Sequence, residues 1–270
     1  MNANKVIGIS IVAMGLGAIL YYLINQRREI TAGDKQGRYL SFGTSYCISG
    51  LSGVMNINLP ALTDGFYQDH EVSQNRSRLN SIKNQFSSIV SNISMITNIS
   101  DSLIYSFIFI ESGGDQTAVN GNAVGLMQIG INSATDIIYT EYKKGRLGSA
   151  EADLLQRYLG TRLNQIYTMK SAGTVQVITS SDLFNPELNI LIGCIYLGQL
   201  IDEHQENNTV RLDKVVIRYN MGYYSYARGG QLIGDVMGVL AKVNPITRSY
   251  ITKLIGKNGI LEMLEAEKCG

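Results

Sequence analysis

A single glutamate at the end of an apolar stretch is the residue in this sequence best suited to acid–base chemistry. Glu111 closes the run Ser-Phe-Ile-Phe-Ile and is followed by Ser-Gly-Gly. A carboxyl group that such neighbours partly remove from water has a raised pKa, because loss of hydration disfavours the charged form. It can then stay protonated near neutral pH and donate a proton to a leaving group. The alternative is an ordinary glutamate that faces solvent from a helix end.

Further short blocks of polar, aromatic and glycine residues follow Glu111 along the chain. An amide such as that of Gln128 offers a donor and an acceptor to sugar hydroxyl or acetamido groups. Met127 can pack against a sugar face or simply fill core, and we expect Gly125 and Gly222 to allow close backbone approach. The blocks are Gly125-Leu126-Met127-Gln128, Asn189-Ile190 with Gly193 and Tyr196-Leu197, Tyr219-Asn220-Met221-Gly222, and Pro245-x-Thr247-Arg248-x-Tyr250.

The order of these blocks resembles the soluble lytic transglycosylase family, whose members have a goose-type-lysozyme-like domain. That family's pattern is Glu-Ser, then Gly-Leu-Met-Gln, then Asn-Ile-x-x-Gly-x-x-Tyr-Leu, then Tyr-Asn-x-Gly, and all four occur here in sequence. The resemblance covers about residues 100–256. It implies a mainly α, lysozyme-like helical domain whose cleft binds the glycan strands of peptidoglycan.

The resemblance also implies a reaction and a set of site residues. Members cut the β-1,4 bond between N-acetylmuramic acid and N-acetylglucosamine with a single carboxylate, here Glu111. It protonates the glycosidic oxygen and then accepts a proton from the muramoyl C6 hydroxyl, which leaves a 1,6-anhydro end. By the same resemblance the Tyr219 hydroxyl lies close to this carboxyl and holds it, and Asn220 binds glycan or a helix end. The implied substrate-binding residues are Ser112, Met127, Gln128, Tyr219 and Asn220.

Two other carboxylates lie near the motif blocks, but neither is an obvious catalytic partner. Asp115 belongs to the variable loop after Glu111, and we interpret Glu187 as a first-turn helix residue at the favourable end of the helix dipole. Ordinary glycosidases need two carboxylates. The chain departs from the family pattern at Met221-Gly222-Tyr223-Tyr224, at Gly130-Ile131-Asn132, and in an additional stretch at 139–181 that could be a lid, a docking surface or an ornament.

Helical periodicity predicts the elements that position these residues. Apolar residues recur at three- and four-residue steps from about Ser73 to Ile96, with Ser73 or Asn75 as a possible cap. A second helix over Ser102–Ser112 ends at Gly113, since glycine readily adopts the left-handed terminal conformation. Further helices are predicted near Ser149–Met169, Pro186–Glu203, Arg211–Tyr219 and Thr247–Ile255. Because no alternating strand runs occur in sheet-building number, the folded part is predicted to be mainly α.

The N-terminal region predicts a membrane anchor rather than part of this domain. Residues 6–24 carry no charge and are long enough, at ~1.5 Å per residue, to span a ~30 Å hydrocarbon core. The following NQRRE segment offers no signal-peptidase site, although a cleaved signal peptide or a buried helix are alternatives. We therefore expect an anchor at 1–28, a glycine-rich spacer at 29–72 and a lytic transglycosylase domain at 73–270.

Composition excludes several other classes of protein. The 270 residues include 23 Lys and Arg against 22 Asp and Glu, so the net charge of +1 does not favour a nucleic-acid binder. Three cysteines and two histidines are scattered without metal-ligand spacing, which predicts neither a metal site nor a disulfide framework. No cofactor is expected.

Together these patterns predict a single-pass, membrane-anchored peptidoglycan lytic transglycosylase that opens the cell wall locally. Two settings fit: a bacteriophage virion, for genome entry, and a bacterial envelope-spanning machine, and in either the partners would be the glycan strands and proteins of that assembly. A muramidase of the same fold, with water in place of the C6 hydroxyl, remains an alternative. So does a catalytically silent structural or glycan-binding protein, although Glu111, Gln128 and Tyr219 together argue against silence.

Overall fold

The fold is mainly helical, and the computed structural model describes residues 40–42, 55–58, 66–206, 209–223, 238, 241 and 243–267. The ten helices of this part are α1 (Asp69–Thr97), α2 (Asp101–Ser112), α3 (Ile131–Lys143), α4 (Ser149–Leu159), α5 (Arg162–Tyr167), α6 (Ser180–Leu183), α7 (Pro186–Glu203), α8 (Leu212–Met221), α9 (Pro245–Ile255) and α10 (Ile260–Glu267).

Two helices that are apolar on all sides form the centre of the molecule. Such helices must be surrounded by other elements, because no face suits water. In α7 every residue from Leu188 to Ile201 is buried, and in α2 the same holds from Ser102 to Phe109. Helices α1, α3, α4, α6 and α8 pack on α7, while α1, α9 and α10 pack on α2. One contiguous apolar core results.

Local capping fixes where these two central helices begin and end. The Ser100 hydroxyl accepts a hydrogen bond from the Leu103 amide at 3.2 Å, and Gly113 ends α2 with a φ of 65°. Asn185 caps α7 by accepting from the Leu188 amide at 3.0 Å, directly before Pro186. Because α2 stops at a fixed residue, Glu111 lies in its last turn rather than inside the helix.

The helices predicted from periodicity are present, with changes at their ends. Helix α1 starts at Asp69 behind the N-cap Gln68, so the expected caps were wrong: Ser73 lies within the helix and Asn75 is buried in it. The predicted helix over 149–169 is two helices, α4 and α5, and Glu187 lies in the first turn of α7 as expected. Helices α3, α6 and α10 were not predicted.

The additional stretch at 139–181 belongs to the same packed body. It contains α4 and α5, whose apolar side chains lie in the common core. The loop that follows is tied to α3: both Asp136 carboxylate oxygens accept from the Gly173 amide at 2.8 and 2.9 Å, and the Thr135 hydroxyl accepts from the Val177 and Ile178 amides at 3.0 and 3.2 Å. The helical part of the stretch is therefore part of the packed domain and contributes to its core.

Short strands form two small sheets. Strands β3 (Val119–Asn120), β4 (Ala123–Val124) and β5 (Ile129–Gly130) pair antiparallel after α2. A four-stranded sheet has the order β1 (Leu40–Phe42), β2 (Met55–Asn58), β7 (Thr209–Arg211) and β6 (Gln205–Glu206), with Ile57 opposite Val210. Two strands of the predicted spacer thus pair in one sheet with a strand that leads into α8.

The predicted membrane anchor, at 1–28 with its span at 6–24, lies outside the described residues. The predicted spacer at 29–72 is described only at its two strands and from residue 66 onward. Within the described part of the chain, every helix is too short or too polar to cross a membrane.

Candidate active site

Glu111 lies at the junction between the buried helix α2 and a cavity. Its side chain is partly buried, and burial raises the pKa of the carboxyl to about 7. The hydrogen bond from Tyr250 acts in the opposite direction, because a donor favours the charged carboxylate. Burial has the larger effect. The carboxyl therefore exchanges its proton near neutral pH, which suits both general-acid and general-base chemistry.

Tyr250, not Tyr219, holds the Glu111 carboxyl. The Tyr250 hydroxyl donates a short hydrogen bond to Glu111 Oε1 from helix α9, which packs directly on α2. Burial and the neighbouring carboxyl raise the pKa of Tyr250 well above its usual value, so its hydroxyl keeps its proton and remains a donor. Tyr250 belongs to the Pro-x-Thr-Arg-x-Tyr block of the sequence, but no role was predicted for it from that block.

Tyr219 packs beneath the site instead of bonding to the acid. Its ring lies 4.5 Å from that of Phe107 and 5.2 Å from that of Tyr196, measured between centroids. Its hydroxyl donates to the Met127 carbonyl at 2.8 Å. The expected closeness to Glu111 is present, since burial and then the Glu111 carboxyl raise the pKa of Tyr219. The expectation that the hydroxyl holds Glu111 was wrong, because it donates to the backbone of the Gly-Leu-Met-Gln turn instead. Its ring still forms part of the cavity wall.

The Gly-Leu-Met-Gln turn is held by one fully buried amide. Asn189 Oδ1 accepts from the Met127 amide at 2.8 Å, while Nδ2 donates to the Val124 and Leu183 carbonyls at 2.8 and 2.9 Å. Gly125 has a φ of 79°, and a Cβ there would lie 2.4 Å from Asn189 Nδ2. The close approach predicted for Gly125 is therefore present. Among the described residues, none lies within 4 Å of a Cβ added to Gly222, so the expected close approach is not seen there, and its φ of 83° is what favours glycine.

Two of the expected substrate-binding side chains are used within the protein. Met127 is fully buried, and a Cβ on Gly193 would lie 2.4 Å from its sulfur, so the side chain fills the core beside α7 and does not line the cavity. The Ser112 hydroxyl donates to the Leu126 carbonyl at 2.8 Å and accepts from the Gly114 amide at 3.2 Å. Both side chains therefore contact the protein interior around the turn, and neither lines the cavity.

Gln128 and Asn220 do line the cavity, each with part of its amide engaged. Gln128 Nε2 donates to the Ala118 and Gly125 carbonyls at 3.1 and 2.9 Å, and its backbone has a φ of 47°. Asn220 Oδ1 accepts from the Thr247 hydroxyl at 2.9 Å, which links α8 to the first turn of α9. The predicted contact of Asn220 with a helix end is therefore made.

The cavity has a volume of about 390 Å³, and polar and apolar groups line it in similar measure. Glu111 is the only carboxylate among its described lining residues. The others are Asn120, Asn122, Ala123, Gln128, Ile129, Gly130, Ser133, Ile137, Tyr196, Tyr219, Asn220, Gly222 and Tyr223. Amides, hydroxyls and three tyrosine rings thus surround one acid, and the small sheet β3–β5 forms one wall.

The other candidate carboxylates serve the protein itself. Asp115 accepts hydrogen bonds from the Thr117 amide and hydroxyl at 2.8 and 2.7 Å, which hold the pKa of its carboxyl below the usual value. Glu187 accepts from Tyr158 and, at 3.4 Å, from Asn92 Nδ2. Neither residue lines the cavity. Within the described part of the chain, no group of His, Cys, Asp or Glu could hold a metal ion.

Removing the Tyr250 hydroxyl should change the titration of Glu111. In Tyr250→Phe the carboxylate loses a donor, so its pKa should rise further above 7, by about one unit, since a hydrogen bond to a charged group contributes ~1.5 kcal/mol. The shift can be measured from the ¹³C resonance of the Glu111 carboxyl. Tyr219→Phe is the matched control, because its hydroxyl bonds to Met127; equal pKa values in both variants would contradict the assignment.

The raised pKa of Glu111 should also make folding pH-dependent. The folded-state pKa of about 7 exceeds the ordinary glutamate pKa of 4.5 that applies in the unfolded chain, so the stabilisation is fully present below pH 4.5 and is lost as pH rises through 7. From pH 4.5 to 8.5 wild type should therefore lose about 3 kcal/mol relative to Glu111→Gln, at ~1.4 kcal/mol per pKa unit. Urea unfolding at several pH values measures this difference, and parallel stability curves for the two proteins would contradict it.

The sequence was compared with protein-family models and with curated proteins. Neither a protein-family model nor a curated protein matches the chain.

Proposed function

We propose that this chain is a peptidoglycan lytic transglycosylase with a lysozyme-like domain. The observation that carries the proposal is Glu111: a partly buried acid with a pKa of about 7, and the one carboxylate among the described residues that line this cavity. The order of the Glu-Ser, Gly-Leu-Met-Gln, Asn-Ile and Tyr-Asn blocks, which resembles that family, supports it. In the fold the four blocks meet at this cavity.

The cavity lining suits a sugar ligand. Glycan hydroxyl and acetamido groups need both donors and acceptors, and the side chains of Asn120, Asn122, Gln128, Ser133 and Asn220 supply amides and a hydroxyl. The rings of Tyr196, Tyr219 and Tyr223 add apolar surface of the kind that packs against a sugar face. A volume of about 390 Å³ is within the ~300–1,000 Å³ that is typical of small-ligand sites.

The proposed reaction uses Glu111 twice. In the first step the protonated carboxyl gives its proton to the glycosidic oxygen, and the bond from that oxygen to the muramoyl C1 breaks. Tyr250 engages Oε1, which leaves Oε2 as the oxygen that carries the proton. In the second step the same carboxylate accepts the proton of the C6 hydroxyl, whose oxygen bonds to C1. The proton returns to Glu111, and the product has a 1,6-anhydro ring.

A single acid is sufficient for this route because the second nucleophile belongs to the substrate. Glycosidases that use water or a protein nucleophile need a second carboxylate, at ~5–9.5 Å from the first. No second Asp or Glu is present in the cavity as the described residues form it. This supports an internal hydroxyl over an activated water as the nucleophile.

The biological setting is part of the proposal. We infer that residues 6–24 anchor the chain in a membrane and that the enzyme acts on the adjacent wall, as a component of a bacteriophage virion or of an envelope-spanning machine. The uncharged run at 6–24 and the absence of a cleavage site after it support this.

Product analysis tests the proposal. The full chain in detergent should be used, because β2 pairs with β7 and truncation at residue 70 would remove a sheet partner. Digested peptidoglycan is analysed by mass spectrometry. We expect anhydro-muropeptides from wild type and none from Glu111→Gln. Products with ordinary reducing ends would identify a muramidase, and the absence of any product from folded protein would indicate a binding or structural role.

A further inference from the structure

A second and larger cavity lies on the other side of Tyr250. It has a volume of about 540 Å³ and lies between the start of α1, the end of α2 and helix α9. Tyr250 contributes to its wall while its hydroxyl bonds to Glu111, and Ile110, the residue before Glu111, lines it as well. A ligand whose reacting bond lies at Glu111 could therefore extend into this cavity.

Two cations, Arg78 and Lys253, face this second cavity. Arg78 lies over the Phe109 ring at 4.8 Å, and Lys253 lies over the Phe66 ring at 4.6 Å. Within the described part of the chain, neither makes an ion pair, and no Asp or Glu lines the cavity. Such aromatic faces orient a cation while leaving its hydrogen-bond donors available to an incoming group.

Backbone geometry strengthens the positive character of this site. Pro245 lines the cavity in the first turn of α9, an eleven-residue helix whose positive dipole end lies there. Arg78 also reaches the turn after the catalytic acid, since a Cβ on Gly113 would lie 3.0 Å from its Nη2. The charge of Arg78 extends into the cavity, where it lowers the pKa of Tyr67 against the larger raising effect of burial.

We propose that this second cavity is a subsite for a carboxylate carried by the glycan strand that Glu111 cleaves, bound by Arg78 and Lys253. The inference rests on the proposed function for its substrate, and it adds a selectivity for acidic strands. Phe109, Tyr67 and the largely exposed Ile246 give the site apolar walls for the chain that bears the carboxylate. Two carboxylates of peptidoglycan share this chemistry: the lactyl group of an unsubstituted muramoyl residue and the terminus of a stem peptide.

Ligand binding to a variant that cannot cleave glycan tests the proposed carboxylate subsite in the absence of turnover. Full-length Glu111→Gln is titrated by NMR with N-acetylmuramic acid and its methyl ester, and with a muramoyl dipeptide and its terminal amide. We expect the acid of one pair to bind about tenfold more tightly than its neutral form, since charge-assisted hydrogen bonds are about twice as strong as neutral ones. The pair that shows the difference identifies the source of the carboxylate. Equal binding within both pairs would overturn the proposal.

Variants assign the effect to the two cations. Adding Arg78→Gln or Lys253→Gln to Glu111→Gln should abolish the preference for the acid, whereas Lys257→Gln should retain it, since Lys257 is exposed and does not line the cavity. In the otherwise wild-type enzyme, either charge-removing change should lower kcat/KM for acidic glycan about tenfold, with little further loss on neutral glycan. A preference for the acid that survives both changes would overturn the assignment.

The outcomes separate this inference from the proposed function. Cleavage that is equally fast on acidic and neutral glycan would refute the carboxylate subsite and leave the transglycosylase in place. Acid-selective binding by a wild-type protein that cleaves no glycan would refute the enzyme while retaining an anion site at Arg78 and Lys253.

Discussion

Replacement of Glu111 by glutamine is expected to reduce peptidoglycan cleavage at least a thousandfold while leaving the fold intact. General acid catalysis contributes ~10²–10⁴-fold to a rate, and this residue is proposed to act in both the protonation and the deprotonation step. The amide has the same shape and can still accept the hydrogen bond from Tyr250 at its oxygen. It cannot release a proton as an acid. Anhydro-muropeptide formation, followed over time by mass spectrometry, measures the loss.

The matched control for this loss is Asp115→Asn, the same chemical change in the adjacent loop. Asp115 bonds to Thr117 and does not line the cavity, so its amide variant should retain cleavage within a few-fold of wild type. Circular dichroism and urea unfolding establish that both variants are folded. Full activity of Glu111→Gln, or an equal loss in Asp115→Asn, would refute the role assigned to Glu111.

The second large effect is expected from Asn189→Ala, which should lower the free energy of unfolding by about 4 kcal/mol. The change removes three hydrogen bonds and leaves the Met127 amide and the Val124 and Leu183 carbonyls without this partner in the interior. Each buried group left unsatisfied costs ~1–3 kcal/mol. Urea unfolding measures the stability, and cleavage at a temperature where the variant is folded should also decrease, because the turn that carries Gln128 loses its support.

Asn185→Ala is the matched control, four residues earlier in the same sequence block. Asn185 caps α7 through one hydrogen bond at the helix start, so its loss should cost only ~1 kcal/mol. If the two variants were equally stable, the hydrogen bonds of Asn189 would not be what holds the Gly-Leu-Met-Gln turn.

The sequence was sufficient for features that depend on near neighbours. The apolar run before Glu111 and the glycines after it predicted both the helix and its end, because burial and the left-handed cap are properties of adjacent residues. The start of α7 was predicted in the same way from Asn185 and Pro186. The raised pKa of Glu111 followed from the same local apolar character.

Elements whose stability depends on distant partners were not predicted. Helix α3 buries two polar side chains, Thr135 and Asp136. Both accept hydrogen bonds from backbone amides of residues 173–178, which lie far from α3 in sequence. Strand β2 is short, and its partner β7 lies about 150 residues further along. Strands this short can be held by backbone pairing alone, so they need no alternation of apolar and polar residues. The sequence therefore contained no signal that predicts them.

The apolar residues before Glu111 indicated a partly desolvated carboxyl at a helix end, with a solvent-facing glutamate as the alternative that the sequence left open. Only the tertiary structure decided which groups surround it. Tyr250 reaches Glu111 across 139 residues of sequence, Tyr219 turns to Met127, and Gly193 admits the Met127 side chain into the core. These contacts follow from how α2, α7, α8 and α9 pack, and helix packing is set by the shape of the whole core rather than by any one segment.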